Sequence, residues 1–139
     1  MRRKTVTRIV VTIIFAAVGI WALLHRLRDP GPSLTPGEAE QLLGSDSSAV
    51  LLDVRTPEEY RGPLGHIRGS ILVPVQDLEK RFAELDTLRA RKIIVYCRTG
   101  NRSAKATALL ISGGFSAFNM TGGILRWTEE HRPVETEHH

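Results

Sequence analysis

The sequence predicts an α/β domain with a mostly parallel sheet and helices on both faces. Two observations lead to this prediction. Short, continuous apolar runs at 49–54 and 93–96 are typical of strands that are buried on both faces. Segments of helical periodicity separate the apolar runs. A helix between two strands returns the chain to the edge of the sheet where the previous strand began, so the two strands run in parallel. Cys97 is the chain's single cysteine, so the fold contains no intrachain disulfide.

Local signals place the elements in chain order. The first helix of the domain begins after Thr35, a suitable N-cap, with Pro36 at its first position and Glu38 completing a capping box, and Gly44 ends it. The later elements are predicted as strands over 49–54, 71–73, 93–96 and 117–120, a helical turn over 56–60, and helices over 75–85, 103–111 and 124–130. In the helix over 103–111 we expect Ala104, Ala108 and Ile111 to face the core.

An apolar segment precedes the domain. Residues 9–24 carry no charge, and the stretch extends back to about residue 6 with Arg8 as its interruption. A helix of about 20 such residues spans a bilayer, and Trp21 suits the interface. A cleaved signal peptide needs small residues just after the apolar run, and residues 25–30 offer none. A buried helix of the domain fits poorly because the whole circumference is apolar. We predict a single-pass membrane anchor with a transmembrane helix over about 6–24.

The charge of the chain is concentrated around this segment. The pI is near 9.7, which by itself suggests an acidic partner such as nucleic acid. However, residues 1–29 carry a net charge of +5 and the other 110 residues one of −1. We therefore predict no nucleic-acid partner. More basic residues precede the apolar run than follow it, which favours a cytoplasmic N-terminus and a domain on the far, periplasmic side.

These patterns divide the chain into four predicted regions. Residues 1–29 form the anchor, 30–34 a Pro- and Gly-containing linker, 35–132 the domain, and 133–139 a polar C-terminal tail. The late glutamates are expected to be solvated: Glu129, Glu130, Glu135 and Glu137.

The segment after the strand over 93–96 carries the most chemical information. Cys97 follows that strand directly, and a short polar loop leads from it into a helix. Ligands of open α/β sheets bind at the carboxyl ends of strands. Gly100 and Asn101 accept unusual backbone angles, so backbone N–H groups of the loop can face inward, and the helix adds its positive N-terminal end. With Arg98 and Arg102 nearby, this arrangement favours a thiolate at Cys97 and predicts a reactive nucleophile.

Four motifs now indicate a family. Residues 97–103, Cys-Arg-Thr-Gly-Asn-Arg-Ser, closely resemble the active-site loop of single-domain rhodaneses. The other matches follow the family's order: Asp-Val-Arg-Thr-Pro-Glu-Glu-Tyr at 53–60, Gly-His-Ile-Arg-Gly-Ser-Ile at 65–71 and Gly-Gly-Ile-Leu-Arg-Trp at 122–127. The resemblance covers residues 33–132. One departure is Arg-Gly-Pro-Leu at 61–64, where the shortest members have fewer residues, and we expect it only to lengthen a surface loop.

The resemblance implies a rhodanese-like fold and a thiosulfate:acceptor sulfurtransferase. The Cys97 thiolate takes a sulfane sulfur from a thiosulfate-like anion, becomes a persulfide, and passes the sulfur to a thiol or cyanide acceptor. Asp53 ends the strand over 49–54 beside this site and Arg55 follows just after it, so we expect them to orient the loop or the substrate, with a purely structural salt bridge as the alternative. In the family's Gly-His-Ile element His66 is expected to be structural, with a general base as the alternative. The residues expected to bind the substrate are Arg98, Thr99, Gly100, Asn101, Arg102 and Ser103. We expect neither a metal nor a cofactor.

Loop length separates two chemistries on this fold. Arg102 is the fifth residue after Cys97, giving C-x4-R, whereas the related phosphatases use C-x5-R, a loop that fits phosphate. Tyr96 also replaces the histidine that usually precedes the phosphatase cysteine. A phosphatase or arsenate reductase therefore remains a weaker alternative. A non-catalytic persulfide carrier or docking module at a membrane is the other alternative.

Overall fold

A computed structural model of the chain describes residues 2–26 and 31–136. The strands are β1 (Ser33–Leu34), β2 (Val50–Asp53), β3 (Ile71–Leu72), β4 (Lys92–Tyr96) and β5 (Ser116–Met120). The helices are α1 (Arg2–Arg26), α2 (Pro36–Ser45), α3 (Pro57–Arg61), α4 (Asn101–Ser112) and α5 (Gly123–Glu129). The strands form one sheet in the order β1-β5-β4-β2-β3, and all neighbours are parallel. The predicted α/β fold is confirmed.

The sheet packs on both faces because successive strand residues point to opposite sides. Leu52, Ile93 and Val95 belong to the apolar cluster that α4 covers. Leu51 and Ile94 belong to a second cluster, which α2 and α5 cover. The central strands β2 and β4 are therefore buried on both sides, as their continuous apolar sequence predicts.

The helix predicted over 75–85 is helical in the structure, but of the 3₁₀ type and with a break. The segment forms two 3₁₀ helices, Val75–Asp77 and Glu79–Leu88. Phe82, Leu85 and Leu88 contribute to the core under α4, and their spacing of three residues matches the 3₁₀ repeat of three residues per turn.

The predicted inner face of α4 is wrong. Ala106 and Leu110 are fully buried, whereas Ile111 is 41% exposed. Ala104 and Ala108 are half-buried. The inner face of α4 includes the buried polar residues Ser103 and Thr107, which hydrophobic periodicity does not reveal.

Two segments assigned to the linker and the tail contribute to the fold. Ser33 and Leu34 of β1 pair with Asn119 and Met120 of β5. Glu135 forms an antiparallel bridge in which its backbone and that of His66 exchange N–H···O bonds of 2.9 and 2.8 Å. Glu135 is therefore held against the domain, while Glu137 lies outside the described residues.

The N-terminal segment is helical over Arg2–Arg26, and the side chains of 11–24 are described. Among the described residues, none of the helices combines the length and the hydrophobicity that crossing a bilayer requires. The predicted transmembrane span is therefore not supported. The side chains of 1–10 and 25–30, which include the first residues of that span and the basic residues behind the predicted orientation, lie outside the described part.

Candidate active site

Cys97 lies at the carboxyl end of β4, in the centre of the sheet, and is 1% exposed. Its Sγ accepts a hydrogen bond from the Gly100 backbone N–H at 3.1 Å and one from the Ser103 hydroxyl at 3.4 Å. Gly100 has a φ of 103°, a conformation that glycine adopts without strain. The loop therefore curls around the sulfur with its hydrogen-bond donors directed inward.

This environment favours the thiolate. Burial alone raises the pKa of the Cys97 thiol, but hydrogen bonds from the Ser103 side chain and from the backbone N–H groups of Ser103, Gly100 and Thr99 outweigh it and lower the pKa below its ordinary value. The thiolate is the nucleophilic form of cysteine, so the loop activates Cys97 without a neighbouring general base.

Ser103→Ala removes the hydroxyl that lies 3.4 Å from Sγ. Because this hydrogen bond stabilises only the thiolate, we expect the pKa of Cys97 to rise, and its alkylation by iodoacetamide to reach half its maximal rate at a higher pH. Thr99→Val keeps the Thr99 backbone N–H and serves as the control, with an unchanged midpoint. Equal midpoints in wild-type protein and Ser103→Ala contradict the assigned role.

Helix α5 contacts the loop over 97–103 through its backbone. The Ile124 N–H donates to the Cys97 carbonyl at 2.9 Å, and the Leu125 N–H donates to the Arg98 carbonyl at 3.1 Å. Gly123 permits this approach, because the Cβ of any other residue would lie 2.4 Å from both carbonyl oxygens. The φ of Gly123 is also +58°, a conformation that favours glycine. The second glycine of the 122–127 motif therefore allows the backbone of α5 to lie close to the backbone of the loop over 97–103.

Arg102 and Glu59 form a bidentate ion pair, with both N···O distances at 2.7 Å. The hydrogen bonds from Arg102 hold the pKa of Glu59 at about 2, so this carboxylate stays ionised at neutral pH. Glu59 also accepts from the Thr56 N–H at the start of α3, which fixes its orientation. Sequence analysis missed Glu59 as a site residue, although the Thr56–Glu59 capping box was a detectable signal.

Asp53 and Arg55 form a buried ion pair, and both are at most 1% exposed. The Arg55 Nε lies 3.0 Å from each Asp53 carboxylate oxygen, and Nη2 lies 2.6 Å from Oδ2. The remaining Arg55 donors reach the carbonyls of Glu59 at 3.3 Å and Gly65 at 2.8 Å. Arg55 thereby fixes both ends of the segment 59–65, which borders the catalytic loop.

The other predicted site residues divide between two sides of the loop. Arg98 is exposed and borders a cleft of about 470 Å³ together with Arg55 and segment 58–64. Thr99 and Asn101 face a different cleft, of about 310 Å³, which β1 and β5 also border. Of the predicted binding residues, Gly100 and Ser103 donate hydrogen bonds of 3.1 and 3.4 Å to Sγ.

His66 lies away from Cys97, in a structural position. Its ring stacks on Tyr60 with centroids 3.8 Å apart, and its Nδ1 lies 3.3 Å from the Tyr60 carbonyl. Its Nε2 lies 3.5 Å from a Glu135 carboxylate oxygen. Within 2–26 and 31–136, no cluster of three or more His, Cys, Asp or Glu side chains is placed to hold a metal ion.

The site therefore consists of a cysteine with a lowered pKa in a tight loop between a central parallel strand and a helix, at the edge of the sheet where open α/β folds bind ligands. The Rhodanese-like domain family matches residues 35–130. The chain therefore belongs to this family.

Some relatives carry sulfurtransferase names, and others are named tRNA uridine(34) hydroxylase, such as a protein of Acinetobacter baumannii that is 33% identical over 112 residues. A sulfurtransferase from Allochromatium vinosum is 32% identical over 95 residues, which is 68% of this chain and 85% of that protein. The probable adenylyltransferase/sulfurtransferase MoeZ from Mycobacterium tuberculosis is 35% identical over 104 residues, 74% of this chain and 26% of that relative's length. The crystal structure of a rhodanese-related protein from Thermoplasma volcanium superposes with a TM-score of 0.69 at 33% identity, covering 77% of this chain and all of that one.

Proposed function

We propose that this chain is a sulfurtransferase that carries a sulfane sulfur on Cys97. The proposal rests on two hydrogen bonds to the buried Cys97 Sγ at the end of β4. The Gly100 backbone N–H donates one and the Ser103 hydroxyl donates the other. The same donors suit a second sulfur that carries negative charge, which is what a persulfide places there.

The reaction consists of two displacements at sulfur. The Cys97 thiolate attacks the sulfane sulfur of thiosulfate, a new S–S bond forms, the S–S bond of thiosulfate breaks, and sulfite leaves with the electron pair. An acceptor thiolate or cyanide then attacks the outer sulfur of the persulfide and releases the Cys97 thiolate. Neither step needs an external oxidant or a proton donor, because every leaving group is a stable anion.

The carboxylates near the loop favour sulfur over phosphate ester chemistry. A phosphatase needs an acid to protonate the departing alkoxide. Glu59 has a pKa of about 2 and is ionised at neutral pH, and Asp53 is bonded to Arg55. Glu59 is therefore not suited to donate a proton, whereas sulfite departs without one.

The proposal is tested by mass spectrometry of the intact chain after treatment with thiosulfate. We expect a mass gain of one sulfur atom and release of one equivalent of sulfite, both reversed by cyanide. Loading without turnover in the presence of thiols supports the carrier alternative. Hydrolysis of an aryl phosphate with no sulfur loading contradicts the proposal and supports a phosphatase.

We further propose that α1 attaches the chain to a membrane. The large apolar side chains described on this helix, from Val11 to Leu24, are 45–73% exposed, and a helix with an apolar surface on all sides needs a lipid or protein cover. The full-length chain is expected to stay with membranes after carbonate extraction, whereas a variant lacking residues 1–29 is expected to wash off. Release of both contradicts the anchor, and a reporter at the C-terminus tests the predicted periplasmic placement of the domain.

A further inference from the structure

The cleft beside Arg98 is not used by the chemistry described so far. Its volume is about 470 Å³, and its lining is made by Arg55 and Arg98 together with five residues of segment 58–64: Glu58, Glu59, Gly62, Pro63 and Leu64. Arg98 directly follows Cys97, and Glu59 is bonded to Arg102. Residues from both ends of the catalytic loop therefore border or contact this cleft.

One wall of the cleft is a firmly held loop. The Gly62 N–H donates to the Glu59 carbonyl at 3.2 Å, and the Gly65 N–H donates to the Gly62 carbonyl at 2.9 Å. The buried Arg55 guanidinium fixes the carbonyls of Glu59 and Gly65, and Leu64 packs against the core cluster covered by α5. The inserted residues 61–64 therefore present a preformed surface.

The cleft contains both paired and unpaired charged side chains. The Glu59 carboxylate is neutralised by Arg102. Glu58 and Arg98 are exposed, and within the described residues neither forms an ion pair. The same lining therefore holds one unpaired anion and one unpaired cation, and Pro63 and Leu64 add apolar surface to it.

Thiosulfate does not match this surface, because it has no carbon chain and no cationic group. We propose that the cleft is the acceptor subsite, and that it selects a small organic thiol bearing both a carboxylate, which pairs with Arg98, and an ammonium group, which pairs with Glu58. The inference rests on the sulfurtransferase function proposed above, and it assigns a specificity role to segment 58–64.

The acceptor reaches the sulfur at the mouth of the loop. Cys97 itself is 1% exposed, but a persulfide extends about 2 Å farther, the length of one S–S bond. The acceptor thiol loses its proton to solvent, its thiolate forms a bond to the outer sulfur, and the bond between that sulfur and Cys97 Sγ breaks. The products are the acceptor's persulfide anion and the Cys97 thiolate.

The test measures single-turnover sulfur transfer from the loaded full-length chain to four thiols: cysteine, 3-mercaptopropionate, cysteamine and 2-mercaptoethanol. Rates are expressed per thiolate and relative to the rate of the same thiol with a small disulfide, so that differences in ionised fraction and in intrinsic nucleophilicity both cancel. We expect cysteine to react about tenfold faster than 2-mercaptoethanol, with the two singly charged thiols between them. This preference is expected to weaken with added salt, because exposed charges are screened.

Glu58→Lys separates the contributions of charge. It is expected to slow cysteamine and cysteine about fivefold and to accelerate 3-mercaptopropionate by a similar factor, with 2-mercaptoethanol unchanged. Glu79→Lys makes the same change of net charge at an exposed position outside the cleft and serves as the control. Four thiols within about twofold of one another in the wild type, or equal effects of the two substitutions, overturn the inference.

Loading is measured separately, by mass, before each acceptor is added. Failure of both thiosulfate and inorganic polysulfide to load Cys97 contradicts the proposed function, whereas normal loading followed by indiscriminate transfer contradicts only the acceptor subsite. If thiosulfate does not load the chain, inorganic polysulfide supplies the persulfide, and the acceptor comparison still gives a decision.

Discussion

Cys97→Ser is expected to lower kcat/KM for sulfur transfer from thiosulfate to cyanide by a factor on the order of 10⁴ or more, in line with the loss of other enzymatic nucleophiles. Serine is smaller and can still accept the Gly100 N–H bond that Cys97 Sγ now accepts at 3.1 Å. Its hydroxyl, however, remains protonated at neutral pH, and it cannot form a persulfide. The measurement is steady-state thiocyanate formation together with the mass of the thiosulfate-treated chain.

Stability provides the control for this substitution. Because the Ser103 hydroxyl and the backbone donors of the loop remain in place, the free energy of unfolding is expected to change by no more than about 1 kcal/mol. A folded Cys97→Ser protein that retains even a tenth of the wild-type activity shows that sulfur transfer does not pass through this residue, and the proposed mechanism fails.

The sequence predicted the central strands well because their signal is local. The apolar runs at 49–54 and 93–96 correspond to β2 and β4 within one or two residues. Strand β1 has no such signal, since two residues, Ser33 and Leu34, become a strand only by pairing with the end of β5. The helix over 75–85 was predicted, but its 3₁₀ type and its extension to Leu88 were not, because apolar spacings of three and four residues both fit an α-helix.

The candidate site shows the same division between local and long-range information. The loop from Cys97 to Ser103 was predicted from chain-adjacent residues, and its donors do surround Sγ. Glu59 lies 43 positions before Arg102, so their pairing depends on how α3 approaches α4. Gly123 was recognised within a motif, but its purpose depends on the distance to the Cys97 carbonyl.

Asp53 and Arg55 illustrate a limit of a different kind. The sequence left open whether this pair supports the substrate or only the fold. Both side chains are buried, and Arg55 bonds to the carbonyls of Glu59 and Gly65. Its hydrogen bonds therefore hold segment 59–65 in place. Arg55 also lines the cleft beside Arg98, so a structural role and a role toward the substrate coexist in this pair.

Asp53→Ala is expected to lower the free energy of unfolding by about 3–5 kcal/mol, because it leaves a buried guanidinium without its counter-ion. Arg55 is 1% exposed, and three of its N···O contacts within 3.0 Å involve the Asp53 carboxylate. The measurement is urea unfolding of the purified chain. Glu84→Ala removes the exposed pair between Glu84 and Arg81, and as the matched control it is expected to cost less than about 1 kcal/mol.

A second substitution distinguishes the unpaired charge from the lost packing. Arg55→Met in the Asp53→Ala background removes the buried cation, so the double variant is expected to recover part of the lost stability. The double variant lacks the Arg55 hydrogen bonds to the Glu59 and Gly65 carbonyls. We therefore expect the wall of the cleft to be loosened and the discrimination among acceptor thiols to be weaker than in the wild type. An Asp53→Ala protein as stable as the Glu84→Ala control contradicts the structural role assigned to this pair.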